Sequence, residues 1–319
     1  MEQVTVCRLQ RDMRFEGFLL IRSAEKRKDV KGNEYVDMNL TDRTGEINSK
    51  IWNWDAGAET PEAGGVIKVR GLIQEYNGRL QLRVERWRPA EEGDPVDMNA
   101  LVPCAPRSPE EMLSQIRETV ASFRNEKLKK LTETMLAHVR ESLPWFPAAQ
   151  RMHHAERSGL LHHTTDMLRL AEGMLEVYPW LNRDLLLAGV ILHDLGKIDE
   201  LKSDRTGNVT DYTRDGQLLG HLVRGITNLH RAAEEAGVTG ETVVLLEHML
   251  LSHHGEAEFG SPRPPMFPEA EALHWLDITD ARMNTMKAVL DKTPEGAFSE
   301  KIFSLDRRVY HPLYTEDAE

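Results

Sequence analysis

Arg183-Asp-Leu-Leu-Leu-Ala-Gly-Val-Ile-Leu-His-Asp-Leu-Gly-Lys197 is apolar nearly all round until it closes on His193 and Asp194, just before Gly196 and Lys197. Apolar residues on every side describe a buried helix. Two adjacent polar residues at its C-terminal end are costly to bury without partners, and metal coordination supplies such partners economically. His and Asp are the imidazole and carboxylate ligands that Mn, Fe, Co and Mg sites use.

The surrounding sequence supplies more of the same residue types. Of 13 His in the chain, 11 fall between His153 and His274. His163 lies near the start of a helix expected from Leu160 to about Val177. His221 sits in the apolar helical stretch Leu218–Val223, and His253-His254 closes the helix Val243–Ser252 before Gly255. Asp277 is expected on a helix Glu271–Met286, three residues before Asp280, so that both face one side and Asp280 rivals it as the last ligand. His138, His230, His248, His274 and His311 read as surface or hydrogen-bonded histidines. His162 reads as a supporting or exposed neighbour.

The first 90 residues read as strands: Phe15–Ile21, Glu34–Leu40, Glu46–Trp52, Val66–Arg70 and Arg79–Glu85, with turn signals at Asp42-Arg-Thr-Gly45 and Tyr76-Asn-Gly78. Five short strands with an insertion at Asp55–Gly65 fit a small Greek-key barrel of the OB type. Pro89 to Pro109 is an acidic, Pro-rich linker with little periodicity. Ser108-Pro-Glu-Glu111 is a capping box that opens a helical region, with a break near Asn125 and an interruption at Pro144–Pro147. The expected organisation is a barrel over 1–90, a linker over 91–108, connecting helices over 109–150, an all-helical metal-binding domain over 151–292 without strands, and a tail over 293–319.

At 319 residues the chain suits two or three domains, and its 40% apolar and 29% charged residues are those of a globular protein. The longest apolar run, about Leu185–Leu192, is far short of a membrane span, and the N-terminal segment lacks the apolar core of a signal peptide. Two cysteines offer neither a disulfide framework nor a CxxC site. Together these features point to the cytoplasm. The net charge of −12 is uneven, +2 over residues 1–90 and −14 over the rest, and it neither requires nor excludes a nucleic-acid substrate.

His163, the run His193-Asp194-Leu-Gly-Lys197 and Asp277 resemble the HD superfamily of all-helical metal-dependent phosphohydrolases. The additional histidines at 221 and 253/254 resemble its dinuclear branches. Gly159-Leu-Leu-His-His-Thr164, Leu251-Ser-His-His-Gly255, Gly260-Ser-Pro262 and Ala281-Arg-Met-Asn284, with Asp42-Arg-Thr-Gly-Glu46 and Tyr76–Leu82 in the barrel, carry a narrower resemblance. They are similar to the YhaM-type 3′→5′ exoribonucleases, an OB-fold followed by an HD domain. The chain departs from that pattern at Glu156 and Ser158, where an aromatic residue and a glycine are usual, and at His162, where an acidic residue is usual.

The resemblance implies a metal-dependent 3′→5′ exonuclease acting on single-stranded RNA, with single-stranded DNA as a further substrate and self-association of the chain. His163, His193, Asp194 and Asp277 would hold one divalent ion, with Asp194 bridging to a second held by His221, His253 and His254. Mn leads as the metal, with Mg, Co or Fe as alternatives. Two ions roughly 3.5–4 Å apart activate a water for in-line attack on the phosphodiester. Lys197 either offsets phosphate charge or pairs with a carboxylate. His153 and His154 either reach the phosphate or leaving group or pack as a loop pair, and Arg263 is either a phosphate contact or a surface arginine. In the barrel, Trp52, Trp54, Tyr76, Lys50, Arg79 and Arg83 are candidates for stacking and phosphate contact, some of which alternation must send to the core. The competing readings are a nucleotide phosphohydrolase or cyclic-nucleotide phosphodiesterase regulated by the barrel, and a non-catalytic nucleic-acid-binding protein.

Overall fold

The computed structural model describes residues 3–29, 31–52, 54–55, 60–76, 78–150 and 154–313. His153, Asn77 and part of the insertion after Asp55 lie outside the described residues. The chain forms two compact units, one reaching to Cys104 and including Asp204–Asn208, the other made of residues 105–203 and those from 209 onward.

The first unit is a closed barrel of β1 (Arg14–Lys28), β2 (Glu34–Asp42), β3 (Gly45–Ile51), β4 (Val66–Tyr76) and β5 (Arg79–Pro89) in the order β1-β2-β3-β5-β4. Alternation explains each strand: Val36, Met38 and Leu40 point into the core, while Tyr35, Asp37 and Asn39 point out. Strand β1 pairs with β4 through its first half and with β2 through its second, bending at a bulge between Ile21 and Ser23. The parallel pairing of β3 with β5, Asn48 opposite Gln81 and Lys50 opposite Arg83, closes the barrel. β1, β4 and β5 run longer than the alternation in sequence indicated.

Part of the expected linker is structured. Asp97 caps a short helix, α1 (Met98–Leu101), and Leu101 and Val102 are buried against Leu20. Four residues are too few to display a helical period, which is why the sequence read as linker.

In the second unit, α2 (Pro109–Ala121) opens on the Ser108–Glu111 capping box and α3 (Glu126–Val139) on the Asn125 cap. Then follow α4 (Gly159–Val177), α5 (Arg183–Leu192) and α6 (Lys197–Glu200). A two-stranded hairpin, β6 (Leu201–Ser203) with β7 (Val209–Tyr212), corrects the expectation of helices alone. It escaped notice because neither strand is long enough to show alternation. Helices α7 (Arg214–Ala236), α8 (Glu241–Ser252) and α9 (Pro268–Leu290) complete the unit. Residues Leu185–Leu192 of α5 are all buried, and the helix packs against α2, α3, α4, α8 and α9. Each fully buried Leu or Ile there contributes roughly 1.5–3 kcal/mol. This central position fixes its C-terminal end in the middle of the unit. Among the described residues no helix is long and apolar enough to cross a membrane.

Candidate metal centre

His193 is the C-cap of α5, and Asp194 follows it at 3% exposure. The chain then turns at Gly196, where a Cβ would lie 2.3 Å from the carbonyl oxygen of His221. Only glycine allows that approach, which brings the Asp194 turn against α7. Helix α7 itself breaks at Gly220 (φ 70°, ψ 170°), a backbone reserved for glycine, so that His221 starts a fresh helical segment rather than lying inside one. His163 comes from the first turns of α4, His253 caps α8, His254 follows it, and Asp277 comes from α9.

These side chains converge on Asp194. Its Oδ2 lies 3.3 Å from His193 Nε2, 3.7 Å from His163 Nε2 and 2.6 Å from Lys197 Nζ. Its Oδ1 lies 3.7 Å from both His221 Nε2 and His253 Nε2. His163 Nε2 is 3.3 Å from His193 Nε2 and 3.3 Å from Asp277 Oδ1. Among the groups with metal-ligating geometry are His163–His193–Asp277 and His221–His253–His254, and Asp194, itself grouped with His193 and His253, turns one oxygen toward each.

The backs of the imidazoles are all engaged. His193 Nδ1 donates to Val190 O (2.9 Å), His253 Nδ1 to Leu250 O (2.9 Å) and His254 Nδ1 to Phe259 O (2.8 Å). Asp280 Oδ2 accepts from His163 Nδ1 at 2.7 Å, and Glu200 from His221 Nδ1 at 3.1 Å. A carbonyl or carboxylate oxygen only accepts, so each Nδ1 carries a proton, and each Nε2 is the nitrogen turned toward the cluster. Supporting contacts of this kind are what orient metal-bound histidines. Among the described residues, three buried atoms of the cluster, Asp194 Oδ1, His221 Nε2 and His253 Nε2, have no hydrogen-bond partner. Each would cost about 1–3 kcal/mol unless satisfied. A cation between them satisfies all three, so the residues fit a metal.

Ionisation follows the same geometry. Burial pushes the Asp194 carboxyl up, but Lys197 and His193 outweigh it and hold the group far below the usual carboxylate range. Burial would lower His163, yet Asp277 and Asp280 raise it to about 10 in the absence of metal. His253 and His254 are lowered, chiefly by burial and also by neighbouring imidazoles.

Asp277 faces the Nε2 side of His163 and Asp280 the Nδ1 side. The two carboxylates therefore meet different nitrogens of His163, Asp277 the one turned toward the cluster and Asp280 the one turned away. His154 stands behind Asp280, its Nε2 donating to Asp280 Oδ2 at 2.7 Å. Lys197 pairs with Asp194. Two departures from the family pattern prove to be one contact: Glu156 Oε1 meets His162 Nδ1 at 2.7 Å, and Asp166 meets its Nε2 at 3.2 Å. Burial lowers His162, but Asp166 and Glu156 raise it to about 9. Ser158 takes φ 63°, which accounts for a glycine being usual there.

Sequence reasoning missed Glu200 and gave His274 no role. His274 is buried, and its Nδ1 donates to His253 O at 2.8 Å. Neither residue carries a sequence signal beyond its type. His138, His230, His248 and His311 pair elsewhere, with Glu235, Glu247, the Met266 amide and Thr293 O. Arg263 is exposed, and among the described residues no contact ties it to the cluster.

On the barrel, Lys50 Nζ lies over the rings of Tyr35 (5.2 Å), Trp52 (5.5 Å) and Tyr76 (5.8 Å), and Tyr35 stacks on Trp52 at 4.8 Å. Arg83, opposite Lys50, shares this outer face, and Arg79 lines a cleft of about 600 Å³ with Lys50 and Tyr76. Trp54 is different: it stacks on Trp87 and packs against the barrel core. Tyr35 was missed, although its alternation with Val36 marks it as outward-facing.

Family models for an OB-fold nucleic acid binding domain and an HD domain match residues 21–90 and 160–282. The 3′-5′ exoribonuclease YhaM of Geobacillus sp. (strain WCH70) is 40% identical over 93% of this chain and 92% of its own. That of Listeria monocytogenes serotype 4b (strain F2365) is 40% identical over 93% and 95%, and that of Halalkalibacterium halodurans 39% identical over 94% of each. The chain belongs to the YhaM exoribonuclease family. Its barrel is a nucleic-acid-binding OB-fold, and its helical unit contains a divalent-metal-dependent HD domain.

Two predictions follow from the layered ligand set. Asp277→Ala should abolish tight metal binding on the His163 side, whereas Asp280→Asn should weaken it by roughly 10–100-fold, as loss of a supporting contact does; competition with a fluorescent chelator separates the two. Metal binding there must also displace the proton that His163 holds up to about pH 10. Its affinity should therefore climb about tenfold per pH unit from about pH 6 to pH 9. His253 and His254, held below the ordinary imidazole value, should add no such dependence above about pH 7. Calorimetry in buffers of different ionisation enthalpy counts the released proton.

Proposed function

We propose that the chain is a metal-dependent 3′→5′ exonuclease that hydrolyses the terminal phosphodiester of single-stranded RNA with two divalent ions bound per chain. The observation that carries the reading is Asp194, whose two oxygens face two separate imidazole groups. His163, His193 and Asp277 would hold one ion, and His221, His253 and His254 the other, with Asp194 shared between them. Such ions supply Lewis acidity that makes water acidic and charge that neutralises the phosphate. Mn is the favoured metal, with Mg, Co and Fe accommodated by the same N/O donors.

The protein's own contribution is positioning. Lys197 keeps Asp194 ionised and oriented, and Asp280, Glu200 and the backbone carbonyls fix the imidazoles. The grouping of Lys50, Arg83, Trp52, Tyr35 and Tyr76 on one barrel face favours a polymeric substrate over a mononucleotide, since single strands are held by basic side chains interleaved with stacking rings. Single-stranded DNA presents the same phosphates and bases, and the reading extends to it. It extends also to self-association of the chain, supported by the exposed aromatic side chains of Phe298 and Phe303 in the C-terminal segment.

Digestion of a 5′-labelled RNA oligomer with Mn should give a ladder descending from the 3′ end. His193→Ala and Asp194→Ala should each slow it by more than about a hundredfold; undiminished digestion by either purified variant would sink the reading. Trp52→Ala should weaken RNA binding by about 1–3 kcal/mol. Lys50→Ala should flatten the salt dependence of binding by about 0.7 in log–log slope. Neither should slow hydrolysis of a mononucleotide ester, and filter binding across a salt series reads both.

A further inference from the structure

The ligands of the candidate centre are unequally covered. His163, His193 and His253 are fully buried and Asp194 nearly so, whereas the side chains of His221 and Asp277 are 12% and 15% exposed, and His254 is also partly exposed. The cluster is therefore open to solvent at His221, His254 and Asp277.

On that side, the residues after His254 fold into a closed loop. The His254 amide donates to Ser261 Oγ at 3.1 Å, and the Phe259 and Ser261 amides both donate to Glu256 O. His254 Nδ1 donates to the Phe259 carbonyl at 2.8 Å. One hydrogen bond thus ties the Phe259 backbone to the imidazole of a candidate ligand, while its phenyl ring is 68% exposed. Just before His221, Leu218 and Leu219 are exposed as well, so apolar side chains flank both partly open histidines.

We infer that Phe259 is the platform on which the terminal nucleobase of the strand stacks while its phosphodiester lies at the centre. The inference rests on the exonuclease reading above. Every nucleobase has a π-face, so a phenyl ring holds any of them, which suits an enzyme that must accept each new end in turn. The contact through His254 fixes the Phe259 backbone beside a candidate ligand.

The test uses the full chain with Mn and two 5′-labelled oligoadenylates, one ordinary and one whose 3′-terminal nucleotide is abasic. With the wild-type protein, the abasic end should raise KM about tenfold for removal of the first nucleotide. Phe259→Ala should raise KM for the ordinary end by the same factor and leave the abasic end unchanged, while Phe259→Trp should retain the wild-type preference. Equal KM for both ends with the wild-type protein would overturn the inference. So would a Phe259→Ala variant that loses both substrates equally, because that reports a disturbed His254 rather than a lost stacking surface. Failure of the wild-type protein to shorten either oligomer from its 3′ end would instead refute the exonuclease reading itself, and this inference with it.

Discussion

Asp194 is a carboxylate almost completely removed from water at the end of a helix that is buried from Asp184 to Leu192. An ionised group in that position is tolerable only with charge partners on every side, since isolated burial costs many kcal/mol and would otherwise neutralise it. Lys197 compensates one oxygen. The other lies 3.7 Å from two imidazole Nε2 atoms and, among the described residues, has no hydrogen-bond partner, so a cation beside it would supply the missing charge. The helical unit thus makes sense as a frame that holds these buried polar groups together. The packing of α5 among its neighbours supplies the stability that this arrangement expends.

A second layer decides what each ligand is. Asp277 and Asp280 lie on one helix and reach the same imidazole, yet from opposite nitrogens, which gives the proposed ligand and the proposed support different contacts. Behind Asp280 the layer continues through His154 to His162, which sits between Glu156 and Asp166, the latter paired with Arg107. Glu156 and His162 replace an aromatic and an acidic residue usual in the family. A lone acid-to-histidine change here would leave the histidine with one carboxylate fewer to accept its proton. The change at 156 brings a carboxylate to that same histidine.

Much of this was legible in the sequence because it rests on strong local signals. An all-apolar helix ending in His-Asp, a His pair before glycine, and strands with strict alternation each admit few structural explanations. What was not legible depends on the third dimension. Trp52 and Trp54 are separated by one residue, but Trp52 leaves the end of β3 toward solvent and Trp54 turns back onto Trp87. Alternation cannot foresee that where the strand has already ended. Glu200 and His274 support ligands distant in sequence, and nothing in their own segments marks them. Helix α7 read as continuous because a glycine break preserves the apolar pattern on both sides while changing the direction of His221.

The charge distribution poses a further problem that the two units answer in different ways. A chain of net charge −12 that acts on a polyanion must create positive potential locally. The barrel, with its small positive excess, does so with fixed cations: Lys50 and Arg83 emerge on adjacent strands, and aromatic rings around Lys50 leave its charge directed outward. The strongly acidic remainder does not use many lysines at the centre, where Lys197 is already committed to Asp194. Two divalent ions would outweigh Asp194 and Asp277 and leave the cluster net positive, drawing phosphate in only when metal is present.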